Sequence, residues 1–157
     1  MISGAANIKM SLDKYILDNL SGVSIDFEGV PFDNTQTVSW IQPRILDMKN
    51  IFHRQSNSSG TSYAESVNIL FQVNCFAKIS GVTNAHKHYL LRDTVANNFP
   101  IGKNITIKDY SGASTVTICS MKVRTMINDS PMPQREGLLQ YVVAWEIDYL
   151  RETSKNN

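Results

Sequence analysis

Apolar and polar residues alternate along 66–77. Val67, Ile69, Phe71, Val73 and Cys75 fall on one side, and Ser66, Asn68, Gln72 and Asn74 on the other. A period of two belongs to a β-strand with one buried face. Leu70 and Phe76 interrupt the polar side, so that face is not simply wetted. The pattern returns near the C-terminus, where Leu139, Tyr141, Val143, Trp145, Ile147 and Tyr149 alternate with Gln140, Val142, Ala144, Glu146 and Asp148. Around 141–145 both registers are apolar, which predicts a strand covered on both faces. One cover is the helices; the other is a bent part of the same sheet or another subunit.

The remaining elements read as cover and edges of that sheet. Ile8, Leu12, Tyr15, Ile16 and Leu20 recur at spacings of three and four and predict an amphipathic helix, capped by Asn7 or Ser11 and ended at Ser21-Gly22. A short strand is expected at 23–27. A long extended segment follows at 37–54, with Val38, Trp40, Leu46, Met48 and Phe52 in one register and Pro43 marking an edge or a break. The polar run 55–60 reads as the tip of a long hairpin that returns through the first strand. A second helix over 84–98 carries the stripe Leu91, Val95, Phe99 and stops at Pro100. Strands are expected at 101–108 and 115–127, then a polar loop over 128–137. The predicted class is α+β: an antiparallel sheet with a long hairpin, packed by two α-helices. One domain spans 1–157, with a loose arm at 1–9 and a disordered charged tail at 152–157.

Charge narrows the function little. Fifteen basic and fourteen acidic residues leave a formal net charge of +1, so the chain as a whole carries no field that favours nucleic acid or acidic ligands. Lys49, Arg54, Lys122, Arg124 and Arg135 are scattered, without the interleaved aromatic residues that stack bases. No apolar run approaches the ~20 residues of a membrane span, and the opening residues lack the parts of a signal peptide. A cytoplasmic place of synthesis follows as the expectation. Cys75 and Cys119 read as reduced core thiols, with a disulfide between neighbouring strands as the alternative.

No constellation points to catalysis. His86 and His88 stand two apart on a predicted helix, about 200° around its axis, and cannot share a metal. His53 lies elsewhere. There is no Gly-x-Ser-x-Gly, and Gly102-Lys103 fits no phosphate-cradling pattern. Glu146 and Asp148 face one side of a strand about 7 Å apart, a spacing that glycosidases use. A solvated sheet face accounts for them better, because no aromatic groove accompanies them. The expectation is a protein without catalytic, cofactor or metal residues.

The order of parts nevertheless resembles a known family. An N-terminal amphipathic helix precedes an F-x-G-x-x-F stretch (Phe27, Gly29, Phe32). Val38-Ser39-Trp40-Ile41 then opens the long hairpin, a helix ends in Asn98-Phe99-Pro100, and a strand over 138–150 closes the chain. This layout, over roughly 10–150, resembles the tail terminator proteins of long-tailed bacteriophages, the lambda gpU group. The resemblance implies a subunit of a hexameric ring on the head-proximal end of the tail tube, assembled in the host cytoplasm and carried in the virion. Its implied partners are other copies of itself, the tail tube protein and the head connector or head-completion protein, with DNA only as cargo. The family brings no catalytic residues, so the interface is placed by physical argument: the polar tip Arg54, Gln55, Ser56, Asn57, Ser58, Ser59 and Gly60, and the late loop at Arg135 and Glu136. A head-completion or connector-ring subunit is the alternative reading, and a small cytoplasmic ligand-binding domain a more distant one.

Overall fold

The computed structural model describes the backbone of residues 4–55, 62–79 and 85–154, and side chains over 4–49, 66–79 and 85–149. Helix α1 (Ala5–Asn19) is followed by strands β1 (Ser39–Gln55) and β2 (Ser62–Lys78). Helix α2 (Lys87–Asn97) and strands β3 (Asn104–Asp109), β4 (Val116–Pro131) and β5 (Leu138–Ser154) complete the chain. The strands form one curled antiparallel sheet in the order β1-β2-β5-β4-β3. The class is therefore α+β, and the two strands with the clearest alternation, β2 and β5, are inner strands. The Pro43 argument holds as well: β1 is an edge.

Both helices lie on one face of the sheet. Ile8, Leu12 and Ile16 of α1, Leu91 and Val95 of α2 and Phe99 just after it are buried with Ile69, Phe71 and Val73 of β2 and Val143, Trp145 and Ile147 of β5. Phe99 joins the parts. Its ring lies 5.4 Å from Tyr15, 5.4 Å from Phe71 and 4.9 Å from Trp145.

Several expectations are corrected. Helix α1 already runs from Ala5, so residues 5–9 of the expected loose arm are helical; Ala5 and Ala6 are strong helix formers and Ile8 is buried. Gly4 stands at its N-cap, and the two predicted caps are used elsewhere. Ser11 Oγ accepts the Lys108 amide at 3.0 Å and Asn7 Oδ1 the Tyr110 amide at 3.3 Å. Thus α1 occupies one amide of the edge strand β3 and another just past its end, one of the ways a sheet edge is blunted. Segment 23–27 makes a single parallel bridge, Ile25 to Ile41. Within the expected disordered tail, Glu152, Thr153 and Ser154 instead pair with Ala64, Tyr63 and Ser62.

The single register drawn through 37–54 is broken by a bulge at Leu46. Ile45 pairs with Phe71 and Asp47 with Leu70, so Leu46 is extra. Ile41, Ile45 and Met48 face the helices, whereas Trp40 faces away. Strand β4 is longer than expected and takes up the first four residues, 128–131, of the predicted loop. Bulges at Arg124 and Ile127 let it keep pace with β5 to Pro131. The two cysteines are not in a disulfide; β5 separates the strands that carry them.

Candidate interaction surfaces

Those of the residues proposed for contact that the structure describes lie at two ends of the sheet. β2 and β5 stay in register from Lys78↔Leu138 to Ser62↔Ser154. Arg54 and Gln55 pair through their backbones with Ala64 and Tyr63 at one end, while Ser56, Asn57, Ser58, Ser59 and Gly60 lie outside the described residues. Arg135 and Glu136 sit at the other end. Sixteen steps of about 3.3 Å place the two sets roughly 50 Å apart along the strand direction. They do not form one surface.

Arg135 and Glu136 belong to a tight reversal. The Leu138 amide donates to the Arg135 carbonyl at 2.7 Å, and the Arg135 amide to the Leu138 carbonyl at 3.2 Å. Glu136 has φ 43° and Gly137 φ 77°. Two consecutive positive φ angles make a type I′ turn, for which Asn-Gly is the favoured pair. Glu136 is the one non-glycine with positive φ among the described residues. A side chain with a β-carbon held there costs about 1 kcal/mol. Both Arg135 and Glu136 are exposed.

At the far end, and against the opposite edge of the sheet, a cleft of about 350 Å³ opens between α1 and β3. It is lined by Lys14, Asp18, Lys103, Lys108, Thr106 and Tyr110, among others. Lys14 pairs with Asp18 at 2.8 Å, which raises the lysine pKa above its ordinary value through that hydrogen bond. Among the described residues no carboxylate pairs with Lys103 or Lys108.

The sheet face turned away from the helices carries a row of amides. Gln42 Nε2 donates to Asp26 at 3.0 Å, Asn74 Nδ2 to Gln42 at 3.0 Å, and both Gln72 and Gln140 donate to Asn74 Oδ1. Arg44 adds a charged contact to Asp26 at 3.5 Å. Asn74 is only 8% exposed, and a polar group so buried is retained because its bonds are made. Beside the row, Trp40 stacks on Phe76 at 5.3 Å and meets Phe32 at 6.1 Å. Val142 and Ala144 are buried on this face within the subunit, flanked by Asn74 and Gln72 on β2 and Ser130 and Asn128 on β4. The doubly apolar run over 141–145 therefore needs no second subunit to cover it.

No protein-family model matches the chain. No curated protein matches it. One solved structure that carries no functional name is similar in fold, with a TM-score of 0.54 and 14% identity over 96% of each chain. That likeness concerns the fold alone.

The candidate chemical groups are dispersed. Among the described residues no three His, Cys, Asp or Glu side chains stand close enough to hold a metal. His86 precedes α2 and is exposed, and His88 is buried in its first turn. His53 lies outside the described side chains. Glu146 and Asp148 share a face as predicted, but Asp148 is taken up by Asn68 at 2.7 Å and Arg124 at 3.3 Å. On the helix side, Arg92 of α2 grips Asp129 of β4 at 2.9 and 2.6 Å, and the Tyr141 hydroxyl donates to the same carboxylate at 2.7 Å. These contacts, the Arg92 hydrogen bond foremost, hold the Asp129 carboxyl below the usual carboxylate range.

The sequence reading missed the amide row and the lysine cleft. Alternation placed Asn74 and Gln72 on a polar face, but only the pairing of β1, β2 and β5 brings Gln42 and Gln140 to them. Lys103 and Lys108 are separated from Lys14 by some ninety residues, and no local pattern announces the cleft.

Proposed function

We propose that this chain is the tail terminator subunit of a long-tailed bacteriophage. It forms a ring, six copies in the family it resembles, on the head-proximal end of the tail tube. There it stops tube growth and offers the surface on which the head connector docks, with DNA passing through as cargo. The observation that carries the reading is the order of parts, which agrees with the layout of that family: α1, the Phe27-x-Gly29-x-x-Phe32 stretch, the paired β1 and β2, α2 followed by Asn98-Phe99-Pro100, and β5. Two of its apolar anchors also have structural employment that supports it, Phe32 against Trp40 and Phe99 between both helices and the sheet. In this reading β1 and β2 form one long hairpin whose tip, Arg54 to Gly60, reaches the tube or the connector. The arm is stiffened by β5, which accompanies β2 as far as Ser62.

Electron microscopy of the purified protein, alone and mixed with tail tubes, tests the proposal. The expected result is a closed ring, free or seated on one tube end, and tubes that no longer elongate. Tubes that keep growing with bare ends in the presence of excess protein overturn it. Replacing Gln55 to Ser59 by a two-residue turn should impair joining of heads to tails while leaving the melting temperature within a few degrees, since the change lies at the surface.

A further inference from the structure

We propose that neighbouring copies of the chain join through the Arg135–Gly137 turn of one copy seated in the α1/β3 cleft of the next. The proposal rests on the ring reading and names the contact that builds the ring.

A cyclic ring repeats one contact between two different patches of the same chain. The two patches must be complementary, and they must lie far enough apart that no copy can satisfy its own. The turn and the cleft meet both conditions. Leu138, at the turn, and Tyr149, level with Met121 of β4 and hence with Ile105 of β3, are eleven residues apart along β5. At about 3.3 Å per residue that is roughly 36 Å along the strands, and the cleft lies beside β3, two strands over from β5 in the sheet order.

Charge supports the same match. The cleft presents three lysines against one aspartate. Lys103 and Lys108 have no carboxylate partner among the described residues. The turn offers a carboxylate at its exposed apex, with Arg135 beside it. Glu136 reaches Lys103 and Lys108, and Arg135 reaches Asp18, whose side chain is 53% exposed. The backbone adds an independent argument. An acidic side chain is kept at a left-handed position where asparagine or glycine would be comfortable. Strain of that kind marks positions where the side chain serves something outside the local fold.

The test uses full-length protein and a pair of charge-swapped variants, with assembly read by sedimentation velocity. Glu136→Lys alone, and Lys103→Glu with Lys108→Glu alone, are each expected to raise the concentration needed for self-association at least tenfold. Mixed one to one, the two variants are expected to assemble again. The lysine tip of the first fits the glutamate cleft of the second, and the glutamate tip of the second fits the lysine cleft of the first. A misfolded variant would give no such rescue. Glu136→Asn supplies a further arm: it relieves the turn and is expected to keep the monomer folded while weakening assembly. Association of the wild type is expected to weaken with added salt, as exposed ion pairs do. If the wild type forms rings and either charge change leaves them intact, or the mixture stays apart, this contact is wrong and the ring reading stands. If the wild type forms no ring, alone or on tail tubes, both are wrong.

Discussion

Phe99 offers the sharpest test of how the subunit is held together. It is 1% exposed and touches the rings of Tyr15 on α1, Phe71 on β2 and Trp145 on β5. Truncating a buried phenylalanine to alanine removes its transfer free energy and leaves a cavity, together about 3–5 kcal/mol. Three ring contacts place Phe99→Ala toward the upper half of that range, because aromatic pairs add about 0.5–1.5 kcal/mol beyond area. A loss of ~4 kcal/mol is a large part of the 5–15 kcal/mol that a domain has. For a chain of this size it corresponds to a fall of roughly 8–16 °C in melting temperature.

Urea denaturation with an unchanged slope reads the loss directly. Phe99→Leu, which keeps most of the volume, should cost under about 1.5 kcal/mol. The pair Tyr15→Leu and Phe99→Leu should be coupled by at least ~0.5 kcal/mol, because the two rings meet edge to face at 76°. The Tyr15 hydroxyl also donates to the Asn98 carbonyl at the end of α2, a group no helical amide reaches. A loss below about 1.5 kcal/mol for Phe99→Ala, or strictly additive leucine variants, would refute the view that Phe99 ties both helices to the sheet.

Other consequences follow from single groups. His88 is buried with no hydrogen-bond partner on Nδ1, and burial first, then His86, lowers its pKa below the ordinary 6.5. The unfolded chain then binds more protons than the folded one, so stability is full above about pH 6.5 and falls as the pH drops toward the folded pKa; urea midpoints from pH 8 to 5 should show this, and His88→Phe should flatten it. Asp129→Asn breaks the two-pronged Arg92 contact and weakens the Tyr141 bond, at a cost of about 1 kcal/mol in a partly exposed setting, seen as a lower denaturation midpoint at pH 7. Burial pushes the Cys75 thiol up to about 12, so it should resist alkylation at pH 8 until the protein unfolds, as mass spectrometry of labelled native protein would reveal. Glu136→Asn should stabilise the monomer by about 0.5–1 kcal/mol by fitting the type I′ turn, and a lower midpoint for that variant would count against the strain argument.

The inner strands and both helices were legible because their signals are local and long. Val67, Ile69, Phe71, Val73 and Cys75 need only a period of two, and Leu91, Val95 and Phe99 only a helical period. What failed was whatever depends on a neighbour. A bulge keeps the polar and apolar letters in place but shifts their facing, so Trp40 and Met48, which share a parity, end on opposite faces once Leu46 is extra. The sequence pattern ends β4 at 127, because Asn128, Asp129 and Ser130 look like a loop. They are strand because Ala144, Val143 and Val142 of β5 supply their partners. Helix caps failed for a similar reason: Asn7 and Ser11 have cap chemistry, but the unpaired amides of β3 lay closer to hand.

The same dependence on pairing bears on the proposed surfaces. In the sequence, Arg54 to Gly60 and Arg135 to Glu136 are two polar breaks of equal standing, and nothing separates their roles. The register of β2 with β5 sets the described Arg54 and Gln55 at the opposite end of one long strand pair from Arg135 and Glu136. A rigid element of that length cannot bring both ends to the same small partner, so each end must serve a different contact. If the proposed ring stacks between a tube and a connector, every subunit needs lateral contacts to its copies and axial contacts to the layers above and below. Under the proposed contact the strained, charged turn suits the lateral role, because the α1/β3 cleft of a next copy would complement its charge. The uncharged run from Gln55 to Gly60 has no such counterpart on its own chain and is left for an axial one. Charge reversal at Glu136 should therefore disturb ring formation, whereas shortening Gln55 to Ser59 should leave rings intact and lower only their capture by tubes or heads. If both changes act on the same step, the assignment of one end to each direction is wrong.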